Sequence, residues 1–226
     1  MSLPHTDAAE SATSSSRVEP DLTGWLGGHS LMRRQFGLLA EAAGEVAADD
    51  AARIEALEDH LAFMHRRLDW HHHHEDADVF PALRAGDDAL ADLIDDLEQD
   101  HARLEELLVV TGDREVALPR RASALRDLSR ELGAHLDREE TEAVPAIRRI
   151  IPAAAWALGD QQFLDELGAD RATTLTWMAS HLPPEARADF LARLPLPARE
   201  LYRTVWRPQH LQKVRLMYGA EVASTA

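Results

Sequence analysis

Two stretches of the chain carry the same pattern: LAFMHRRLDWHHHHEDADVFPALR at residues 61–84 and LRDLSRELGAHLDREETEAVPAIR at residues 125–148. Within the first stretch and just before it, apolar residues recur at steps of three and four, at Leu57, Leu61, Met64 and Leu68. That spacing is typical of one face of an α-helix, and the same face continues into His71 and Glu75. A shift of 64 residues aligns twelve positions of the same chemical type without a gap, so the two stretches form an internal repeat.

The remaining helical segments can be placed from the repeat outward. The second copy has leucines at positions 125, 128 and 132, followed by His135 and Glu139. An upstream segment opens with His29, and another carries His101 among leucines. The breaks between the four segments fall at Asp49–Asp50, Ala85–Asp87 and Thr111–Pro119. Because short breaks join antiparallel neighbours, the sequence predicts an all-α, up-down four-helix bundle over residues 21–151.

Composition excludes several classes of partner and cofactor. The formal charge of −16 argues against nucleic acid or an anionic membrane, since both are polyanions. The chain has no cysteine, so any metal must be bound by nitrogen and oxygen. Residues 1–20 are polar and are predicted to be a disordered tail. No apolar run approaches the roughly 20 residues of a membrane span, and we expect a cytoplasmic protein.

Six polar residues occupy positions where the apolar stripes predict leucine: His29, His71, Glu75, His101, His135 and Glu139. A buried imidazole or carboxylate without a partner is costly, and one shared metal site would satisfy all six. Six donors are too many for one tetrahedral zinc ion, but they suit two ions bridged by carboxylates. Nitrogen and oxygen donors without sulfur favour iron or manganese over copper(I), and iron is the more available metal.

The doubled arrangement of a histidine followed by His-x3-Glu resembles the haemerythrin-like, or HHE cation-binding, domain over about residues 25–150. Both His-x3-Glu segments also have the trailing proline of that family's signature, at Pro81 and Pro145. The resemblance implies that the six residues bind two iron ions through an Fe–O–Fe or carboxylate bridge, with Glu75 and Glu139 as the bridging carboxylates. Manganese or zinc would be the alternative metals.

The sequence departs from the oxygen-carrying haemerythrins at Glu105, where those proteins have a second histidine one turn after the third-helix ligand. Glu105 is either a seventh ligand or a solvated residue. The change disfavours reversible oxygen carriage, and the resemblance then implies a di-iron protein that binds or reduces a small oxidant (O2, H2O2 or NO). Catalase- or peroxidase-like activity stays open, and the alternative is an iron-dependent sensor or iron store without turnover, with the C-terminal helices as its output.

Several other polar residues need an interpretation. His74 and Asp78 form a competing His-x3-acid pair, which makes His74 a second candidate ligand, although only the His71 register continues the leucine stripe. We expect His72, His73 and His65 to be solvated, and His60 to lie three turns away from the site. The acidic residues after each signature glutamate are predicted to be either solvated or partners of the ligating imidazoles: Asp76, Asp78, Glu140 and Glu142.

Residues 152–226 continue with a helical pattern and hold three of the five tryptophans. So many aromatic side chains need a surface against which to bury. We expect these helices to pack on the bundle, with a homodimer surface or a lid over the metal site as the alternatives. His181 and His210 have no ligand-type spacing.

Overall fold

The computed structural model describes residues 18–224, and its elements are helical. The α-helices are α1 (Thr23–Glu45), α2 (Ala51–His74), α3 (Phe80–Gly86), α4 (Ala91–Gly112), α5 (Leu118–Arg138), α6 (Val144–Ile150), α7 (Ala153–Glu166), α8 (Arg171–His181), α9 (Pro184–Ala192), α10 (Leu196–Leu201) and α11 (Arg207–Ser224). Short 3₁₀ turns and π-helical segments connect some of them: Glu75–Val79, Asp88–Leu90, Glu139–Ala143, Gly168–Asp170 and Tyr202–Trp206. Because residues 18–224 include no β-strand, the predicted all-α class is confirmed.

Four long helices form a closed ring in which each contacts two neighbours. Helix α1 packs on α2 and α5, and α4 packs on the same two helices from the other side. The local signals at the breaks explain where the helices begin. The Asp50 carboxylate accepts a hydrogen bond from the Arg53 amide at the start of α2, and Pro119 lies in the first turn of α5, where its missing N–H costs nothing.

The predicted leucine stripes form the core of this bundle. Leu57, Leu61, Met64 and Leu68 on α2 are fully or almost fully buried, as are Leu125, Leu128 and Leu132 on α5. A second apolar cluster contains Val79, Phe80 and Leu83 together with their repeat equivalents Ala143, Val144 and Ile147. Along both helices the His-x3-Glu residues lie between these two clusters, so the polar site is surrounded by apolar side chains.

Both signature glutamates begin a π-helical segment, which the sequence analysis did not predict. The amide of Phe80 bonds to the carbonyl of Glu75, and that of Val144 bonds to the carbonyl of Glu139. Each wide turn precedes a proline, at Pro81 and Pro145. A proline in regular α-helix lacks an N–H and clashes with the carbonyl four residues earlier, so the wider turn accommodates it.

Helices α8 and α11, which follow Pro152, pack on the bundle. Helix α8 packs on α1, and α11 packs on α2 and α8, so that Trp177, Val214 and Met217 join the main core cluster. Between these layers, the amide of Gln35 makes hydrogen bonds with His60 on one side and His181 on the other. A homodimer surface on these helices stays a prediction.

Two expectations concern the chain as a whole. Among the described residues, no helix combines the length and the apolarity that crossing a bilayer requires. Of the predicted tail at residues 1–20, residues 1–17 lie outside the part of the chain that the structure describes.

Candidate metal centre

The structure brings the six predicted donors together in the middle of the bundle. His29, His71, Glu75 and Glu139 offer four donor atoms that lie within 4.8 Å of one another. A second group meets the same criterion and consists of Glu75, His101, His135 and Glu139. We call these groups the first and the second half-site. None of the six residues is more than 7% exposed, and both half-sites share the two glutamates.

The imidazole nitrogens of both repeats face the two carboxylates. The Nε2 atom of His71 lies 3.2 Å from Glu75 Oε1, and that of His135 lies 3.3 Å from Glu139 Oε1. The contacts also cross between the repeats. His29 Nε2 is 3.6 Å from Glu139 Oε2, and His101 Nε2 is 3.6 Å from Glu75 Oε2. Each carboxylate therefore lies between imidazoles that come from different halves of the bundle.

Acidic side chains hold two of the imidazoles from behind. His29 Nδ1 lies 3.0 Å from Glu140, and His101 Nδ1 lies 2.8 Å from Asp76. If Nδ1 carries the proton and donates it to the carboxylate, the Nε2 lone pair is free for a metal. Of the two readings predicted for these acids, Asp76 and Glu140 are thus partners of imidazoles, whereas Glu142 is exposed.

One tryptophan connects the site to its surroundings. Trp25, one turn before His29, donates its indole N–H to Glu75 Oε1 over 3.1 Å. Its ring also lies 3.9 Å from the His29 ring and 6.1 Å from that of Trp156 on α7, measured between centroids. A segment from the C-terminal part of the chain therefore reaches the shell around Glu75.

Burial controls the protonation of the cluster. It lowers the pKa of His29 and His101, and it lowers the pKa of His71 well below its ordinary value, with neighbouring imidazoles adding to the effect at His71. Burial and the Glu139 carboxylate raise the pKa of Glu75. At Glu139 burial acts in the same direction, but His135 and His29 outweigh it and the pKa falls. The lowered pKa values favour the neutral imidazoles that a metal ion requires, whereas the raised pKa of Glu75 favours a protonated carboxyl, whose proton a bound cation would displace.

Buried polar atoms without hydrogen-bond partners are further evidence that the donor set fits a metal. Several of its buried polar atoms have no hydrogen-bond partner among the described residues: His29 Nε2, His71 Nε2, Glu75 Oε2, Glu139 Oε1 and Glu139 Oε2. Unpartnered buried groups of this kind are rare and cost free energy. Because these atoms converge on one another, cations bound between them would satisfy all of them at once.

The prediction that His72 is solvated is wrong. The residue is 7% exposed, its ring stacks on that of His101 at a centroid distance of 4.0 Å, and its buried Nε2 has no hydrogen-bond partner in the described part of the chain. The reason is that α2 has two neighbours in the ring, so consecutive residues can be buried on different sides. The repeat contained the signal, since the position equivalent to His72 is the apolar Leu136.

The two further candidates are not brought to the cluster. Glu105 is exposed on α4. His74 is half-buried, pairs with Asp78 over 3.1 Å and stacks on Trp70. His65, predicted at the surface, is also half-buried, and its Nε2 lies 3.2 Å from Thr111 Oγ1, where burial lowers the pKa of the imidazole to about 4.

Comparison with known proteins agrees with this geometry. The family model of the hemerythrin HHE cation binding domain matches residues 22–147, which is more than half of the chain. The chain belongs to this family. The match covers all six donors and ends just before α6 does. No curated protein and no solved structure gave a significant match. A member of this family with convergent His and Glu donors is a helical, cation-binding protein.

Proposed function

We propose that this hemerythrin-like protein holds two iron ions, one in each half-site, and that the pair binds or reduces a small oxidant such as O2, H2O2 or NO. The observation that carries the proposal is the sharing of Glu75 and Glu139 between two groups of four donors. Carboxylates bridge metal ions readily, and imidazole with carboxylate suits iron. Manganese or zinc could occupy the same donors.

The residues of the chain would divide the work among them. Glu75 and Glu139 would supply negative charge, and each ion would have two imidazole nitrogens as ligands. Asp76 and Glu140 hold His101 and His29 in a fixed tautomer and orientation. When bound, two adjacent iron ions supply electrons and open coordination positions. Because every donor is buried within apolar surroundings, only a small molecule can reach them, which supports a diatomic or peroxide ligand.

Metal analysis tests the first part of this proposal. Protein from iron-replete cells should contain close to two iron ions per chain, and an optical spectrum under air should show near-ultraviolet absorption that the metal-free protein lacks. A His135→Ala variant should lose iron, whereas His73→Ala should keep it, because His73 is exposed. A correctly folded wild-type protein without iron under these conditions would falsify the proposal.

Turnover tests the second part and separates it from a second candidate. The contact from Trp156 on α7 to Trp25, and from Trp25 to Glu75, favours a sensor whose C-terminal helices form the output. Catalytic removal of peroxide that disappears in His135→Ala supports the enzyme. Oxidant binding without turnover, accompanied by a change in oligomeric state or in the accessibility of the C-terminal helices, supports the sensor.

A further inference from the structure

A third imidazole faces the second half-site and has no role in the ligand set described above. His72 offers a donor atom that lies within 4.8 Å of donor atoms on His101 and on His135, and these two atoms lie within the same distance of each other. Its ring is 4.0 Å from that of His101 and 5.5 Å from that of His135, between centroids. His72 therefore lies beside both imidazoles of that half-site.

The described residues around His72 provide no hydrogen-bond partner for its Nε2 atom, and this atom is buried. At the equivalent position of the second repeat the chain has Leu136, which is fully buried. Since a leucine fills the equivalent position, packing alone does not require a histidine at position 72. A buried nitrogen without a partner is then a cost that some ligand must offset.

The donors on α4 leave room for such a ligand. Helix α4 supplies His101, and one turn later the side chain of Glu105 points to solvent. The second half-site has His101, His135 and the shared carboxylates, and His72 reaches its two imidazoles from α2, in a group of three donors that does not include the carboxylates. Two donors on one ion lie at most about 4.4 Å apart, because each metal–donor bond is about 2.0–2.2 Å long. The donor atoms of His72, His101 and His135 lie within 4.8 Å of one another, so a contraction to about 4.4 Å or less would allow one ion to bind all three nitrogens.

We propose that His72 is a metal ligand, namely the third imidazole of the ion in the second half-site. This inference rests on the proposed function. It makes the two ions unequal, since one has three imidazoles and the other has the two of His29 and His71. The first half-site would then have more open coordination positions for the small oxidant of the proposed function.

Three substitutions separate ligation from packing. His72→Leu reproduces the residue of the other repeat, His72→Phe keeps a ring over His101 but removes the nitrogen, and His73→Ala is the control at an exposed neighbour. Each protein is titrated with Fe²⁺ without oxygen, and its ions are then removed by a competing chelator. We expect two tight ions in the wild type and in His73→Ala. In His72→Leu and His72→Phe one ion should stay tight and the other should bind at least 10-fold more weakly, because loss of even a hydrogen-bond partner of a metal ligand costs about 10- to 100-fold in affinity.

The possible results decide between distinct conclusions. Two ions of unchanged affinity in both His72 variants overturn the ligand role and leave the proposed function intact. A wild-type affinity in His72→Phe but not in His72→Leu also overturns it, because the ring alone then suffices. A wild type that binds no ion overturns the proposed function as well. Circular dichroism and melting of the metal-free variants check that they fold like the metal-free wild type.

A measurement on the unmodified chain tests the proposal if the variants do not fold. Loaded with Co²⁺, the wild type should show five paramagnetically shifted, exchangeable imidazole N–H protons in its NMR spectrum. Those five would belong to His29, His71, His72, His101 and His135. A spectrum with only four such protons overturns the proposal.

Discussion

The half-site around His29 and His71 differs from the half-site around His101 and His135 at two positions that correspond when His29 is aligned with His101 and His71 with His135. On the first side, Trp25 lies four residues before His29 and donates a hydrogen bond to Glu75. On the second side, the residue four positions before His101 is the buried Leu97. On the second side, His72 adds a buried nitrogen where the other repeat has Leu136. A duplicated helical hairpin thus provides matching donors, and two differences between polar and apolar residues make the surroundings of the two half-sites unequal.

The largest loss of metal affinity should follow from substitution of a carboxylate that both half-sites share. Because Glu139 belongs to both groups of donors, Glu139→Gln should weaken both ions by at least 10-fold, whereas His29→Ala should weaken mainly one. Chelator competition against the loaded proteins measures both affinities. Glu142→Gln, an exposed carboxylate in the same π-helical segment, is the control. Loss of a single ion in Glu139→Gln would show that the half-sites do not share this carboxylate.

Removal of the metal should lower stability by several kilocalories per mole. An ion present at about 1,000 times its dissociation constant adds about 4 kcal/mol, which for a chain of this size is about 8–16 °C in melting temperature. Differential scanning calorimetry of loaded and chelated protein at pH 7 measures the difference. If the two melting temperatures coincide, the donors of the four helices are not joined by a metal.

The stabilisation by metal should depend on pH in a defined direction. Burial lowers the pKa of His29 and His101 below that of unfolded histidine, which is about 6.5. The folded chain therefore takes up fewer protons than the unfolded chain. The contribution of these imidazoles to the free energy of unfolding is complete above about pH 6.5 and decreases as the pH falls. Protons and metal also compete for the same nitrogens. The melting temperatures of the loaded and chelated forms should converge as the pH falls below the lowered pKa values of these imidazoles, and a constant separation would contradict this.

Asp76 and Glu140, the carboxylates that contact His101 and His29, allow the metal affinity of each half-site to be lowered separately. Asp76→Asn should lower the affinity of the second half-site by roughly 10- to 100-fold, because it removes the carboxylate behind His101. Glu140→Gln should do the same to the first half-site through His29. Metal titration of each variant checks this, with Asp78→Asn as a control at an exposed position. Equal weakening of both ions in either variant would contradict the separation into half-sites.

The smallest effect should come from Trp25, because its indole makes one hydrogen bond to the cluster. Trp25→Phe keeps an aromatic ring beside His29 but removes the donor to Glu75. One hydrogen bond contributes about 1 kcal/mol, which corresponds to about fivefold in metal affinity. Trp70→Phe is the matched control, since its indole donates to the surface residue Glu166. An unchanged affinity in Trp25→Phe would mean that this bond does not distinguish the half-sites.

The sequence alone determined the helical class, the breaks between the long helices and the six donors that converge. These features depend on spacing along one helix, and helical spacing decides which residues share a face. The leucine stripe to Leu68 therefore led directly to His71 and Glu75. The family followed from the same residues, since the signature lies within the repeat.

Tertiary structure alone decided which further residues reach the site. His72 and His71 are adjacent in sequence, and although Leu136 at the equivalent position of the repeat is a signal that position 72 is buried, only the packing of α2 against two neighbours places His72 beside His101. The same holds for Trp25, whose bond to Glu75 joins residues 50 positions apart. The partners of a side chain across a bundle depend on how its helix is rotated and on which helices surround it, and a one-dimensional pattern specifies neither. The chain thus encodes the donors in its periodicity, whereas the difference between the half-sites arises where its helices meet.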